Sequence, residues 1–167
     1  MPTTIRESGM NFFNDKQQEC WLPEECNTYS NFDGVKICDF VIKKDKIKLL
    51  FVEAKTSNPR NLTDYIKDVS EKLNNSVAFF YSLYTDRMND SSLPLPSSFQ
   101  EVETIKNSKH ILLLIVKNSR YEWLSRISEA LQQENELYRL KQTKRINQIF
   151  CINEELARKK GIIKEEF

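Results

Sequence analysis

Glycine is nearly absent from this chain of 167 residues, which holds only Gly9, Gly34 and Gly161. A phosphate cradle or a dinucleotide fingerprint needs several glycines within a few positions, so both are excluded. Histidine is scarcer still: the single imidazole of His110 can build neither a two-histidine protease helix nor a multi-histidine metal cage. The longest unbroken aliphatic run, Ile111 to Val116, falls far short of the ~20 residues that cross a bilayer, so no membrane partner is expected. Arg6, Glu7 and Asn11 stand where a secretion signal needs an apolar stretch. The cytoplasm is the expected location.

Cys20, Cys26, Cys38 and Cys151 are too few and too scattered for a disulfide framework, and none forms a C-x2-C pair. They read as reduced thiols filling the role of small apolar residues. An excess of one sign of charge is also missing. Lys and Arg number 25 against 24 Asp and Glu, so any contact with nucleic acid rests on a local basic surface rather than on the field of the whole molecule.

What is present is a globular composition, and the length predicts a single domain over 1–167. Short strands are expected at Asn11 to Phe13 and Glu19 to Leu22. Asp33-Gly34 makes a turn. Val35 to Ile42 and Ile47 to Lys55, rich in Val, Ile, Leu and Phe, predict two strands of a hairpin with Lys43 to Lys46 at its tip. Leu62, Ile66, Val69 and Leu73 share one helical stripe, capped by Asn61 or Thr63, while Val77 to Tyr84 reads either as more of that helix or as a strand. Asn89 to Ser98, with Pro94, Pro96 and several serines, is a surface connection.

Beyond it, His110 to Lys117 reads as a buried central strand, with His110 structural. Ser119 to about Lys144 predicts one long helix burying Leu124, Ile127, Leu131 and Tyr138. Gln148 to Ile152 is a last strand, and Asn153 caps a helix that Gly161 stops. The alternation predicts an α/β fold, a mixed central sheet flanked by helices.

The chemistry lies in Asp39, Glu53 and Lys55. Residues two apart on a strand project from the same face, so Glu53 and Lys55 point together, and they continue the apolar face of Leu49 and Phe51. A hairpin turning about residue 46 sets Asp39 opposite Glu53. Directly opposed Cβ atoms lie roughly 4.5–5.5 Å apart, where like charges repel. A hard divalent cation, Mg²⁺ or Mn²⁺, is the natural partner of two such carboxylates, and the Ala54 carbonyl supplies a further oxygen. Lys55 beside the ion is placed to orient a water or to stabilise an anionic transition state. The competing reading is a solvated, ion-paired face of a two-stranded ribbon.

Asp39, thirteen intervening residues, then Glu53-Ala54-Lys55 resembles the motif of the PD-(D/E)XK nucleases. The surrounding segments, Glu7-Ser8-Gly9, Asp33-Gly34-Val35-Lys36 and Glu53 through Pro59, are similar to small bacterial members of that superfamily, and the likeness covers about residues 7 to 60. Cys38 stands where the motif's proline would be. The resemblance implies a restriction-endonuclease-like fold and metal-dependent hydrolysis of DNA or RNA, with Asp39 and Glu53 holding the metal and Lys55 assisting the attacking water. It also implies a further acid from the N-terminal element. Glu7 is the choice, with Glu24 and Glu25 as competitors.

From Lys36 to Arg60 seven basic residues stand against three acidic ones. Arg60 and Lys36 are the expected contacts to a phosphate backbone, whereas the lysines at the hairpin tip equally serve to keep an edge soluble. The alternative function is a catalytically inactive subunit with this fold that binds nucleic acid, a protein partner or a second copy within a bacterial defence or mobile-element complex.

Overall fold

Five strands line up in chain order in the main sheet, and the change in their direction follows from the connections. The structure, a computed structural model, describes residues 4–12, 18–25, 34–45, 47–84, 99 and 102–164. A two-stranded ribbon of β1 (Ile5–Glu7) and β2 (Met10–Phe12) precedes the sheet. In the sheet, β3 (Gln18–Trp21), β4 (Phe40–Lys44) and β5 (Lys48–Lys55) run antiparallel; β6 (Lys109–Val116) and β7 (Gln148–Asn153) continue parallel to β5. The architecture is thus mixed α/β with flanking helices, as the alternation of patterns predicts.

Parallel neighbours need crossovers, and right-handed crossovers running in one direction across a sheet put their helices on the same face. Helices α1 (Leu62–Tyr84), α3 (Tyr121–Gln133) and α4 (Asn135–Gln142) accordingly pack together on one side, with the short α2 (Val102–Asn107) leading into β6. That front face holds the larger apolar cluster, in which Leu49, Phe51, Leu112 and Leu114 meet Ile66, Val69, Leu73 and Phe80. The back face, carrying Phe40, Val52, Leu113 and Ile115, is covered by the ribbon residues Met10 and Phe12, by α5 (Glu154–Lys159) and by Ile162 and Ile163.

Local signals act as expected at several points. Asn61 caps α1, its Oδ1 accepting from the Asp64 amide at 3.2 Å, and the helix runs through Asn74 and Asn75 to Tyr84. Asn153 caps α5 by accepting from the Leu156 amide at 2.9 Å. His110 is buried, its Nδ1 2.6 Å from the Tyr81 hydroxyl and its Nε2 3.1 Å from the Ile105 carbonyl.

Two expectations need correction. Strand β4 begins at Phe40 rather than Val35. Just before it the Asp39 amide still donates to the Val52 carbonyl at 3.1 Å, but the Cys38 amide donates to Ser76 Oγ at 2.7 Å, and the Lys36 carbonyl accepts from Asn75 Nδ2 at 2.9 Å. Helix α1 thus satisfies backbone groups that a ladder would otherwise have paired. The long helix expected from Ser119 to Lys144 is two helices, broken where Glu134 turns extended at ψ 126°. One non-helical residue resets the helical phase, so Leu137 and Leu140 enter the core while Tyr138 is 52% exposed.

Among the described residues, Cys20 and the buried Cys38 and Cys151 form no disulfide. Burial pushes the Cys38 and Cys151 thiols up to about 12. The expected connection from Asn89 to Ser98, together with Phe13, Cys26 and Lys46, lies outside the described residues.

Candidate functional site

The hairpin register decides which side chains meet. Phe40 pairs with Val52 and Lys44 with Lys48, and the Asp39 amide donates to the Val52 carbonyl at 3.1 Å. Continuing this register one step places Asp39 at the level of Glu53. Alternation puts both on the front face with Val41 and Phe51, under α1.

Glu53 has Leu114 as its partner on β6 and is only 1% exposed. An isolated carboxylate there would be severely desolvated. Two ammonium groups compensate. Lys72 Nζ on α1 lies 2.7 Å from Glu53 Oε1, and Lys55 Nζ lies 3.0 Å from the same oxygen. The other oxygen, Oε2, is buried with no hydrogen-bonding partner.

Asp39 is held differently. Its Oδ2 accepts from the Ala54 amide at 2.7 Å. Burial, followed by the charge of Glu53, pushes its carboxyl up to about 7; Glu7 adds to the effect and the Ala54 hydrogen bond opposes it. The N–H and C=O of one strand residue point to the same side, so the Ala54 carbonyl also faces the end of β4. There it accepts from Ser8 Oγ at 2.9 Å. Glu7 Oε1 in turn accepts from the Ser8 amide at 3.1 Å. The tight turn between β1 and β2, with Ser8 at φ 50° and Gly9 at φ 73°, thereby brings Glu7 into the electrostatic neighbourhood of Asp39. Glu24 is exposed on a short 3₁₀ turn over Pro23–Glu25.

Helix α1 supplies residues that the strand pattern could not reveal. Asp68 and Lys72 are one helical turn apart and face the hairpin. Asp68 Oδ2 lies 3.3 Å from Lys55 Nζ, and its Oδ1 lies 2.9 Å from Lys36 Nζ. Burial raises the Asp68 carboxyl, but the hydrogen bonds and charges of Lys36 and Lys55 prevail and hold it below its ordinary value. Burial likewise works against the charge on Lys72, yet its bond to Glu53, reinforced by Asp39 and Asp68, holds it above the ordinary value. The i, i+4 spacing of Asp68 and Lys72 beside the Ile66, Val69, Leu73 stripe was the available signal in the sequence.

Lys36 is therefore bound to α1, with Glu71 a further 3.9 Å partner. Arg60, exposed in the loop entering α1, has no carboxylate partner among the described residues. The hairpin lysines separate: Lys43 is buried at 7% exposure, while Lys44 Nζ contacts the Lys160 carbonyl on the back of the sheet.

Among the described residues, no group of three or more His, Cys, Asp or Glu side chains gathers closely enough to hold a metal ion. The donor set is smaller: two carboxylates and a backbone carbonyl. That set suits a hard cation such as Mg²⁺, which keeps several waters and commonly takes only one or two carboxylates. The bare Glu53 Oε2 and the proton-retaining Asp39 are both features that a cation would relieve. No family model, curated protein or solved structure matches the chain.

Proposed function

We propose that this chain is a Mg²⁺- or Mn²⁺-dependent phosphodiesterase acting on DNA or RNA. The observation that carries the reading is the register of β4 on β5, which sets Asp39 and Glu53 side by side with Lys55 on the same face. The likeness to the PD-(D/E)XK motif falls on these same three residues. Asp39 and Glu53 would hold the metal, with the Ala54 carbonyl beside them. Bound there, the ion would lower the pKa of a water and neutralise charge on the phosphodiester.

The chain's own residues divide the remaining work. Lys55 is held from two sides by Glu53 and Asp68, which orders its ammonium so that it can donate to a phosphate oxygen with little loss of side-chain freedom. Lys72 keeps the buried Glu53 compensated when no metal is bound. Ser8 ties the N-terminal ribbon to the Ala54 carbonyl, which keeps Glu7 within electrostatic range of Asp39.

The test is cleavage of plasmid DNA, single-stranded DNA and RNA by purified protein with Mg²⁺, Mn²⁺ or EDTA, comparing wild type with Lys55→Ala and Glu53→Gln. Cleavage that needs the metal and is lost in both variants is expected. Cleavage in EDTA, or cleavage indifferent to Lys55→Ala, overturns the assignment.

A second reading, a non-cleaving subunit of a larger complex, is favoured by a separate observation. Lys36, Lys55 and Lys72 are all neutralised by carboxylates, which leaves Arg60 as a cation close to the motif with no carboxylate partner among the described residues. Calorimetric titration with Mn²⁺ separates the two, since only the catalytic reading requires uptake that depends on Glu53.

A further inference from the structure

On the opposite face of the sheet and toward the opposite ends of β5 and β6, three lysines stand in a row across three strands. Lys44 pairs directly with Lys48, and Lys48 pairs directly with Lys109. Directly paired strand residues sit roughly 4.5–5.5 Å apart at Cβ, so a row of like charges is unfavourable unless something offsets it. Among the described residues no carboxylate forms an ion pair with any of the three. Lys160, beyond the end of α5, adds a fourth ammonium from above.

These four lysines surround a cavity of about 330 Å³, at the lower end of the ~300–1,000 Å³ typical of small-molecule sites. Its interior is apolar. Leu50, Ile111 and Leu113 form the sheet side, Ile162 the roof, and Phe150 the outer wall, where it remains 43% exposed. Gln148 is the one uncharged polar side chain in the lining. The cavity follows from the topology: among the described residues α1, α3 and α4 lie on the front, and the back is covered by the ribbon and α5, which pack over Ala54 and Ile115, while Lys160 and Ile162 just past α5 border the cavity.

We infer that this cavity binds an apolar organic monoanion of the fatty-acid type, its chain against the aliphatic floor and its headgroup among Lys44, Lys48, Lys109 and Lys160. The lining argues against a nucleotide, since a base would bring several hydrogen-bonding edges to a floor that offers only Gln148. An aliphatic chain leaves no polar group unpaired there, and a single anionic head answers the unbalanced row. Burial holds the Lys44 ammonium below its ordinary value, and Lys48 and Lys160 push the same way against Asp45; a bound anion would relieve that stress. The inference does not depend on the hairpin acids, which lie on the other face.

The experiment titrates the full chain with decanoate, below its micelle concentration, by calorimetry. Saturable binding is expected, with decanol binding at least about tenfold more weakly because it lacks the charge. Lys48→Glu/Lys109→Glu should weaken decanoate at least about tenfold while melting like wild type, and Glu53→Gln should leave it unchanged. Absence of decanoate binding, equal binding of decanol, or binding indifferent to the charge reversal overturns the inference. So does sedimentation with phosphatidylglycerol vesicles, or self-association, that the charge reversal abolishes while free decanoate fails to bind; the face would then be a membrane or subunit contact.

Discussion

Asp39→Asn separates the electrostatics of the hairpin from its shape. The amide oxygen still accepts from the Ala54 N–H, but the buried charge beside Glu53 is gone. In the folded chain burial, Glu53 and Glu7 raise the Asp39 carboxyl from 3.8 to about 7. A group held above its unfolded value retains its proton better in the folded state. Its stabilising contribution is complete below pH 3.8 and is lost as pH rises through about 7. At ~1.4 kcal/mol per pH unit, the part of that interval above pH 5, about two units, sets a ceiling of about 3 kcal/mol, and partial access to solvent lowers the expected figure to about 1–2 kcal/mol. The assay is urea unfolding in EDTA at pH 5 and pH 8. Wild type should lose about 1–2 kcal/mol relative to Asp39→Asn between those values. A difference between the two proteins that stays constant across that range would refute the reasoning. Adding Mn²⁺ at pH 8 is a separate arm: it should raise the midpoint of wild type and leave that of the variant in place.

Lys72→Met should destabilise the fold by about 1–3 kcal/mol, because Glu53 keeps only Lys55, and a double-mutant cycle with Glu53→Gln should show the two losses to be less than additive. Additive losses would mean that the 2.7 Å pair contributes nothing. The break at Glu134 is tested by contrast: Leu137→Ala should cost about 2–4 kcal/mol and Tyr138→Lys close to nothing, whereas a continuous helix would reverse the order. Asn153→Ala removes both the cap of α5 and a buried 3.1 Å bond to the Ser119 carbonyl, and thermal unfolding should report about 1–2 kcal/mol lost.

The hairpin was legible because its constraints are short-range. A turn near residue 46 and the two-residue period of a strand suffice to set Asp39 toward Glu53 and Lys55 beside it, and the register of Phe40 on Val52 follows that rule. Asn61 and Asn153 were readable for the same reason, since a cap acts over three residues. The break at Glu134 was not. Leu131 and Tyr138 are seven apart, and the pattern alone favours burying both; only the core beneath α4 selects Leu137 and Leu140 instead. Strand β4 likewise starts late because helix α1, distant in the chain, takes over the backbone bonds of Cys38 and Lys36.

Composition and local period by themselves determined an α/β chain with an acid-bearing hairpin and, among the described residues, no helix long and apolar enough to cross a membrane. Tertiary structure alone decided that Lys72 and Asp68 lean over that hairpin, that Ser8 reaches the Ala54 carbonyl, and that Lys44, Lys48 and Lys109 line one cavity. The physical reason is range: turns, caps and pleats act over a few residues, whereas a helix crossing a sheet or a parallel strand joined across more than fifty residues brings together groups whose spacing in sequence carries no trace of their contact.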